Sequence, residues 1–402
     1  MFFRWLLVVI AIFSVTGCNN SVRIKLDQKK NQGIYSDRVV FGSSLALKGH
    51  AGYLGVQSMH GAMSYIRHIN EKGGVHGRKI EIIAYDDSYE PTACLANTQK
   101  LIVSDRVFGL FGYVGTPTTV RALPMIEDAE IPLVGILSGA NAFRYPFNKN
   151  VINVRPSYYE ETRAAVRHFV SDLDIRKIAV FYQYDAYGFD GLTGTELALK
   201  NYGLAPVGRG SYVRGATDIQ EGLDKIISSG AEAVFLIGTA EPCAEFVRMA
   251  AEKGFNPVYY MVSFVGGDQF IKCLGKDNNQ RILMSQVVPP QVAESRTGAE
   301  VSEYAQLLNK YYPGETPDFV GLEGFLNARV LVKGLQRSGR KLTRERFIQG
   351  IEGIRNYHIA PGVKVSFSSK KHQGMDRIYF TRLIDDSFTP VKDWERLRGI
   401  FR

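Results

Sequence analysis

Short apolar runs alternate with amphipathic stretches along most of this chain. Residues 39–47 form a run of strand type. Val56, Met59, Met63 and Ile66 then recur three or four positions apart, the stripe of an amphipathic helix. Gly73-Gly74 stops it. The pattern predicts strands at 80–85, 107–113 and 131–137, with helices over 91–104 and from Pro117. The rhythm then restarts. Ser157-Tyr158-Tyr159-Glu160 reads as a capping box that opens a helix. Strands follow at 177–182, 209–213, 233–237 and 258–262. Between them lie a helix at 188–201, a second capping box at Thr217 and Gln220, and a helix striped by Cys243, Val247, Ala250 and Ala251.

Strand–helix alternation at this spacing implies parallel sheets covered on both faces, and two such runs imply two doubly wound α/β domains. The last third differs. It predicts a strand at 282–288 running into Pro289-Pro290 and a helix at 297–312. A long helix striped by Phe319, Leu322, Leu326 and Val330 follows, with Thr316-Pro317-Asp318 at its start and Pro317 suited to the first helical position. A helix at 342–352 and a terminal hairpin from 378 complete it. These pieces are too few for a third sheet and are expected to complete the first two domains. No GxGxxG follows either first strand and no P-loop occurs, so nucleotide-cofactor chemistry has no support and no cofactor is expected.

The first residues bear on location. Arg4 is followed by apolar and small residues, and Val15-Thr16-Gly17 precede Cys18. A charged start, a short apolar core and small residues describe a secretory signal. The run is shorter than the ~20 residues a membrane span needs. The cysteine after small residues resembles a bacterial lipobox, which implies a signal peptide at 1–17, lipidation of Cys18 and a polar tether over 18–37. Asn19 would then permit transfer to the outer membrane. An ordinary signal with an incidental cysteine, or a short anchor, is the alternative. Composition adds limits. The chain has 402 residues, 45% hydrophobic and 22% charged, enough for large cores. Its net charge of +9 is spread along the chain, so no nucleic-acid partner is expected. Cys94, Cys243 and Cys273 share no CxxC spacing; one disulfide plus a thiol, or three thiols, are both open. The seven His form no metal motif, so no metal is expected.

Several stretches in order resemble one family over roughly 39–391: Leu45-Ala46-Leu47-Lys48-Gly49 with Gly55, Asn70-Glu71-Lys72-Gly73-Gly74-Val75-His76-Gly77-Arg78, Tyr85-Asp86-Asp87, Gly115-Thr116-Pro117-Thr118-Thr119, Ile131-Pro132-Leu133-Val134, Tyr187-Gly188 and 323–335. They are similar to the leucine/isoleucine/valine-binding protein family of the type I periplasmic binding fold. The resemblance implies two α/β lobes joined by three crossovers, with ligand in the cleft between them. The crossovers are expected near Arg155-Pro156, Pro289-Pro290 and Gly362. Lobe 1 would hold 38–155 and 290–362, and lobe 2 would hold 156–289 and 363–402.

The expected site follows from both lines. Thr116-Pro117-Thr118 opens a helix after a strand, where free N–H groups and the helix dipole suit a carboxylate. An ordinary helix cap would use the same residues. The resemblance aligns Thr116 with a serine that contacts the ligand carboxylate. Ser138, Gly139 and Ala140 follow the fourth strand, at the strand end where parallel sheets bind ligands. By resemblance, Tyr187 covers the ligand from the other lobe; Asp185, Leu54 and Tyr158 are further candidates. One position departs. Amino-acid-binding members carry a glutamate for the ligand ammonium where this chain has Phe264. A ligand with a carboxylate or amide but no ammonium therefore stands beside a free amino acid, and Glu241 is a possible substitute. Asp86-Asp87 reads as lobe structure or cleft rim.

The function expected is a lipid-anchored extracytoplasmic receptor that closes on an amino acid, amide or small carboxylate and delivers it to an ABC permease. A membrane sensor is the other expected partner type, and a lipoprotein regulator acting on other proteins is the alternative of a different class. No GxSxG, Cys–His pairing or metal set supports an enzyme.

Overall fold

The computed structural model describes residues 32–275, 281–290, 299–360 and 362–401. The expected signal peptide, Cys18 and most of the tether lie outside the described residues.

The first sheet holds β1 (Arg38–Leu45), β2 (Lys79–Asp86), β3 (Gly109–Phe111), β4 (Leu133–Val134) and β5 (Val151–Ile152) in the order β2-β1-β3-β4-β5. Every pairing in it is parallel, and β1 runs in register with β2 from Arg38 opposite Lys79 to Leu45 opposite Asp86. Helices α1 (Gly52–Glu71), α2 (Pro91–Val103) and α3 (Thr116–Asp128) connect its strands.

The second lobe begins with α4 (Tyr158–Arg167). β6 (Ile178–Gln183), α5 (Ala186–Lys200), β7 (Arg209–Tyr212), α6 (Gln220–Ser228), β8 (Ala233–Ile237), α7 (Ala240–Glu252), β9 (Val258–Met261), α8 (Gly267–Leu274) and β10 (Ile282–Gln286) follow. All five residues of β8 are buried, as a strand covered on both faces requires. The chain then returns to the first lobe through α9 (Ala299–Tyr311), α10 (Phe319–Ser338), α11 (Arg344–Glu352) and an antiparallel ribbon of β11 (Tyr357–Ala360) and β12 (Val363–Val365). β13 (Tyr379–Ile384) and β14 (Ser387–Pro390) form the expected hairpin at the edge of the second sheet, ordered β14-β13-β10-β9-β8-β6-β7, before α12 (Trp394–Phe401). The predicted late pieces thus complete the two earlier units. Val363, Val365, Phe367 and Met375 pack in the same core as Phe41, Phe111 and Phe325, so the chain leaves the first lobe after Met375.

Local chemistry explains three differences from the pattern. The predicted α1 stripe is only partly the buried face, since Val56, Met59 and Met63 are half-exposed. The tighter face is Leu54, Ser58, Gly61 and Tyr65, which meets α10 at backbone distance. A Cβ on Gly61 would lie 1.8 Å from the Gly321 carbonyl oxygen, and one on Gly324 2.0 Å from that of Ser58. Small residues, not large ones, set this contact. The capping box at Ser157 forms: its hydroxyl accepts the Glu160 amide at 3.1 Å, and Glu160 accepts the Ser157 amide at 2.7 Å. The one expected at Thr217 does not, because α6 starts after Ile219 without a side-chain cap. At α10 the cap is Asp318, which accepts the Gly321 amide at 2.5 Å, so Pro317 lies just outside the helix.

Candidate functional site

Residues just past strand ends of both sheets meet at one cleft, where Tyr89 packs near Phe264 and Asp190 bonds Asn141. On the first lobe, Asp86 and Asp87 build the turn after β2. Asp86 accepts the amides of Leu47 and Ser88 at 2.8 and 2.9 Å. Asp87 accepts the Ser44 hydroxyl at 2.8 Å and the Tyr89 amide at 2.9 Å. Both carboxylates are spent on the turn, and burial pushes the Asp87 carboxyl up to about 6. The turn's product is Tyr89, held at φ +64° and fully buried. A non-glycine residue in this region is costly and marks a site the fold over-determines. Tyr89 was invisible to motif reasoning; no local pattern announces it.

The loop before α3 is shaped to receive that ring. Gly115 sits at φ +96°, and a Cβ there would lie 2.1 Å from Tyr89 Cε2. Gly115, not Thr116, is the N-cap, and no side chain caps the helix. Its first N–H groups therefore lack a side-chain acceptor, with Pro117 removing one donor. Thr116 Oγ1 bonds Ser138 Oγ at 2.7 Å, joining the two expected loops. Thr118 turns inward to the Val114 carbonyl at 2.6 Å. Behind Ser138, the buried Arg144 holds the Ala140 and Arg155 carbonyls at 2.7 and 2.9 Å. Gly139 lets Tyr158 approach: a Cβ there would lie 2.6 Å from its ring.

From the second lobe, Tyr187 is fully buried and donates to the Gly238 carbonyl at 3.1 Å. Its ring lies 4.8 Å from Phe264 and 5.3 Å from Tyr158. Phe264 also meets Tyr89 across the cleft at 6.1 Å and Tyr158 at 6.5 Å. Tyr89, Tyr158, Tyr187 and Phe264 thus form one aromatic cluster at the lobe boundary. Asp185 stands behind it as the cap of α5, accepting the Tyr187 amide at 2.9 Å and Gln183 Nε2 at 2.6 Å. Leu54 lines a residual void of about 10 Å³ with Leu137, Phe264 and Glu323. Such a space holds about one water, so a ligand that fills it between Leu54 and Phe264 enters only if the lobes part.

Three groups sew the lobes together. Tyr53 donates to the Val265 carbonyl at 2.6 Å and accepts the Ala240 amide at 3.2 Å. Arg214 reaches Glu90 at 3.0 Å and the Tyr89 carbonyl at 3.3 Å. Asp190 accepts the Asn141 amide at 2.9 Å. At the hinge, Arg155 is 1% exposed and serves two glutamates. It bonds Glu161 at 2.7 Å, both Glu323 oxygens at 3.4 Å, and Ser263 Oγ. Glu161 also takes the Ser263 amide at 2.8 Å and Ser285 Oγ at 2.5 Å. Burial pushes the Glu323 carboxyl up to about 7, with Arg155 opposing. The signal for this network was present: an acid inside the apolar run of α10 must be paired if buried.

Cys94, Cys243 and Cys273 are free thiols. Among the described residues, no group of His, Cys, Asp and Glu is placed to hold a metal ion, and no helix is long and apolar enough to cross a membrane.

Comparisons with known proteins agree with this geometry. The periplasmic binding protein family model matches residues 38–387. An amino acid binding protein of Pseudomonas aeruginosa is 25% identical over 58% of this chain and 65% of its own length, just under two thirds. A Leu/Ile/Val-binding protein homolog of Brucella abortus is 24% identical over 74% of this chain and 77% of its own. The solved structure of a possible leucine/isoleucine/valine-binding protein from Rhodopirellula baltica superposes with a TM-score of 0.84 at 32% identity. It covers 90% of this chain and 98% of that one.

Proposed function

We propose, from the premise that this chain belongs to the periplasmic binding protein family, that it is a lipid-anchored receptor that captures a small ligand outside the cytoplasm and hands it to an ABC permease. Members of the family bind solutes and are not enzymes. The anchor is Cys18, and 18–37 is the tether. The two moving units we assign are 38–155 with the described residues of 299–375, and 156–275 with 281–286 and 379–401; the third crossover is placed just beyond Met375, whose amide bonds the Val154 carbonyl at 2.9 Å, rather than near Gly362.

The observation that carries this reading is the convergence of Thr116, Ser138 and the uncapped α3 terminus with the aromatic cluster at the lobe boundary. A ligand bound there touches both lobes. It binds the closed form better than the open one and so shifts the population to closed. The closed shape is what the permease reads. Leu54, Thr116, Pro117, Thr118, Ser138, Gly139, Ala140, Tyr158, Tyr187 and Phe264 are assigned to ligand contact. Thr118 acts through its backbone, since its hydroxyl is used internally. Asp185 acts by fixing the N-terminus of α5.

A thermal-shift screen of the full-length protein tests this. The panel holds amino acids, amides and short or aromatic carboxylates. A ligand at a thousandfold excess over Kd stabilises by ~4 kcal/mol, a rise of several degrees. One chemical class is expected to give that rise. No shift from any member, with the protein shown to be folded, would overturn the receptor reading.

A further inference from the structure

If the chain is the receptor proposed, the hydroxyls and acids of its cleft constrain the ligand's charge. The hydroxyls of Tyr89, Tyr158 and Thr239 are buried and make no well-formed hydrogen bond; the polar side chains beside them are Gln183, Ser138 and Tyr212. Their neighbours place them around one space. Tyr89 and Tyr158 both pack on Phe264. Thr239 follows Gly238, whose carbonyl takes the Tyr187 hydroxyl. A buried polar group left unsatisfied costs roughly 1–3 kcal/mol, so these hydroxyls call for polar atoms on the ligand; a hydroxyl donates and accepts alike, so the sign is set by the N–H donors of α3 beside them. The Tyr89 ring also lies against Gly115, the N-cap of α3. Its hydroxyl and the first N–H groups of α3 are donors at one end of the cleft, with the linked Thr116 and Ser138 hydroxyls beside them.

The acids around this space are taken. Asp87 is spent on Ser44 and the Tyr89 amide, and Asp185 on α5 and Gln183. Glu161 and Glu323 share Arg155, and Glu90 pairs with Arg214. Asp190 and Glu241 are the exceptions: one Asp190 oxygen takes the Asn141 amide and the other has no partner, while Glu241, in the first turn of α7, is exposed and its charge reaches His50. The rings offer no substitute. Their centroids are 4.8 to 6.5 Å apart in tilted and edge contacts, so they pack on one another and do not frame a cation-sized box. Unless Asp190, whose charge is already offset by Arg144, turns to meet it, a buried ammonium would go without a counter-charge, at high cost.

We infer that the ligand is a carboxylate that lacks an α-ammonium and carries an apolar body. Its oxygens meet the α3 terminus, Thr116, Ser138 and the Tyr89 hydroxyl. Its body lies against Phe264, Tyr158 and Tyr187.

Titration calorimetry on the full-length protein with matched pairs tests this: 3-phenylpropanoate against phenylalanine, and 4-methylpentanoate against leucine. The des-amino member of a pair is expected to bind at least about tenfold more tightly, since it brings no ammonium to desolvate. Phe264→Glu is expected to reverse the order by supplying a counter-charge and repelling the bare acid; the wild-type result stands alone if that variant does not fold. Tighter binding of the amino acids overturns the inference while leaving the receptor reading intact, and loss of that preference in Asp190→Asn would assign the ammonium to Asp190. If neither pair binds, the same matched comparison is made on whatever ligand the thermal screen finds. A ligand that needs its amine, or that has no carboxylate, overturns the inference. No ligand in either experiment sinks the receptor reading itself.

Discussion

Arg155→Met is expected to cost the folded protein about 3–5 kcal/mol, read as a lower midpoint in urea denaturation. The reason is the arrangement at the hinge. Arg155 is the cation bonded to both Glu161 and Glu323, and all three side chains are almost wholly buried. Glu161 keeps Ser263 and Ser285 when the guanidinium is gone. Glu323 loses its charged partner and is left as a bare carboxyl in a low-dielectric interior. It then either stays ionised at high cost or takes up a proton. Adding Glu323→Gln to the Arg155→Met chain is expected to recover part of the loss by removing that charge. Arg155→Lys should fall between, since a point charge cannot serve both carboxylates with a fork. A loss below about 1 kcal/mol for Arg155→Met, the range of exposed pairs, would contradict the role given to this network.

Stability is expected to fall as pH rises from about 6.5 to 8. Burial pushes the carboxyls of Glu323 and Asp318 up to about 7, against ordinary values of 4.5 and 3.8. Folding thus binds protons at these groups. Their contribution is full below the unfolded values and is lost as the pH climbs through about 7. Each is worth ~3 kcal/mol over the whole span from its unfolded value to about 7, of which under ~1 kcal/mol falls between pH 6.5 and 8. Four histidines run the other way. Burial holds His50, His60, His68 and His168 below 6.5, so they cost stability as the pH drops through that value. Their effect fades above about pH 7, and the difference between wild type and Glu323→Gln reads the carboxyl apart from them. Urea midpoints at pH 6.5, 7.25 and 8 check this, and Glu323→Gln should flatten the slope. Midpoints that hold level or rise over that window would contradict it.

The two-lobe plan was legible because strand–helix alternation survives averaging: each buried strand is an apolar run, and each helix shows its period. What was not legible depends on contacts far apart in sequence. Thr116 and Ser138 could be proposed from local chemistry, since a strand end followed by a helix start recurs at such sites. That they bond each other could not. Tyr89 and Tyr53 escaped notice because an isolated tyrosine has no local signature, and only the folded chain brings Tyr53 to Val265 and Ala240. Arg155 was visible only as a crossover beside Pro156; its glutamates lie 6 and 168 residues away. Asp185 drew attention as a charged residue next to Tyr187, but its acceptors are consumed in starting a helix. The α1 stripe misled because the closest contact is made by glycines, which carry no hydrophobic signal.

Tyr53, Arg214 and Asp190 describe lobes that are drawn together, with a residual void of about 10 Å³ between Leu54 and Phe264. A receptor that works by closing must leave this state to admit a ligand. Solution X-ray scattering of the full-length protein, with and without a ligand found by the thermal screen, measures that directly. The account predicts a broader particle without ligand, which contracts when ligand is added until the two lobes are as close as those three contacts require. A profile that ligand leaves unchanged while calorimetry shows tight binding would contradict it.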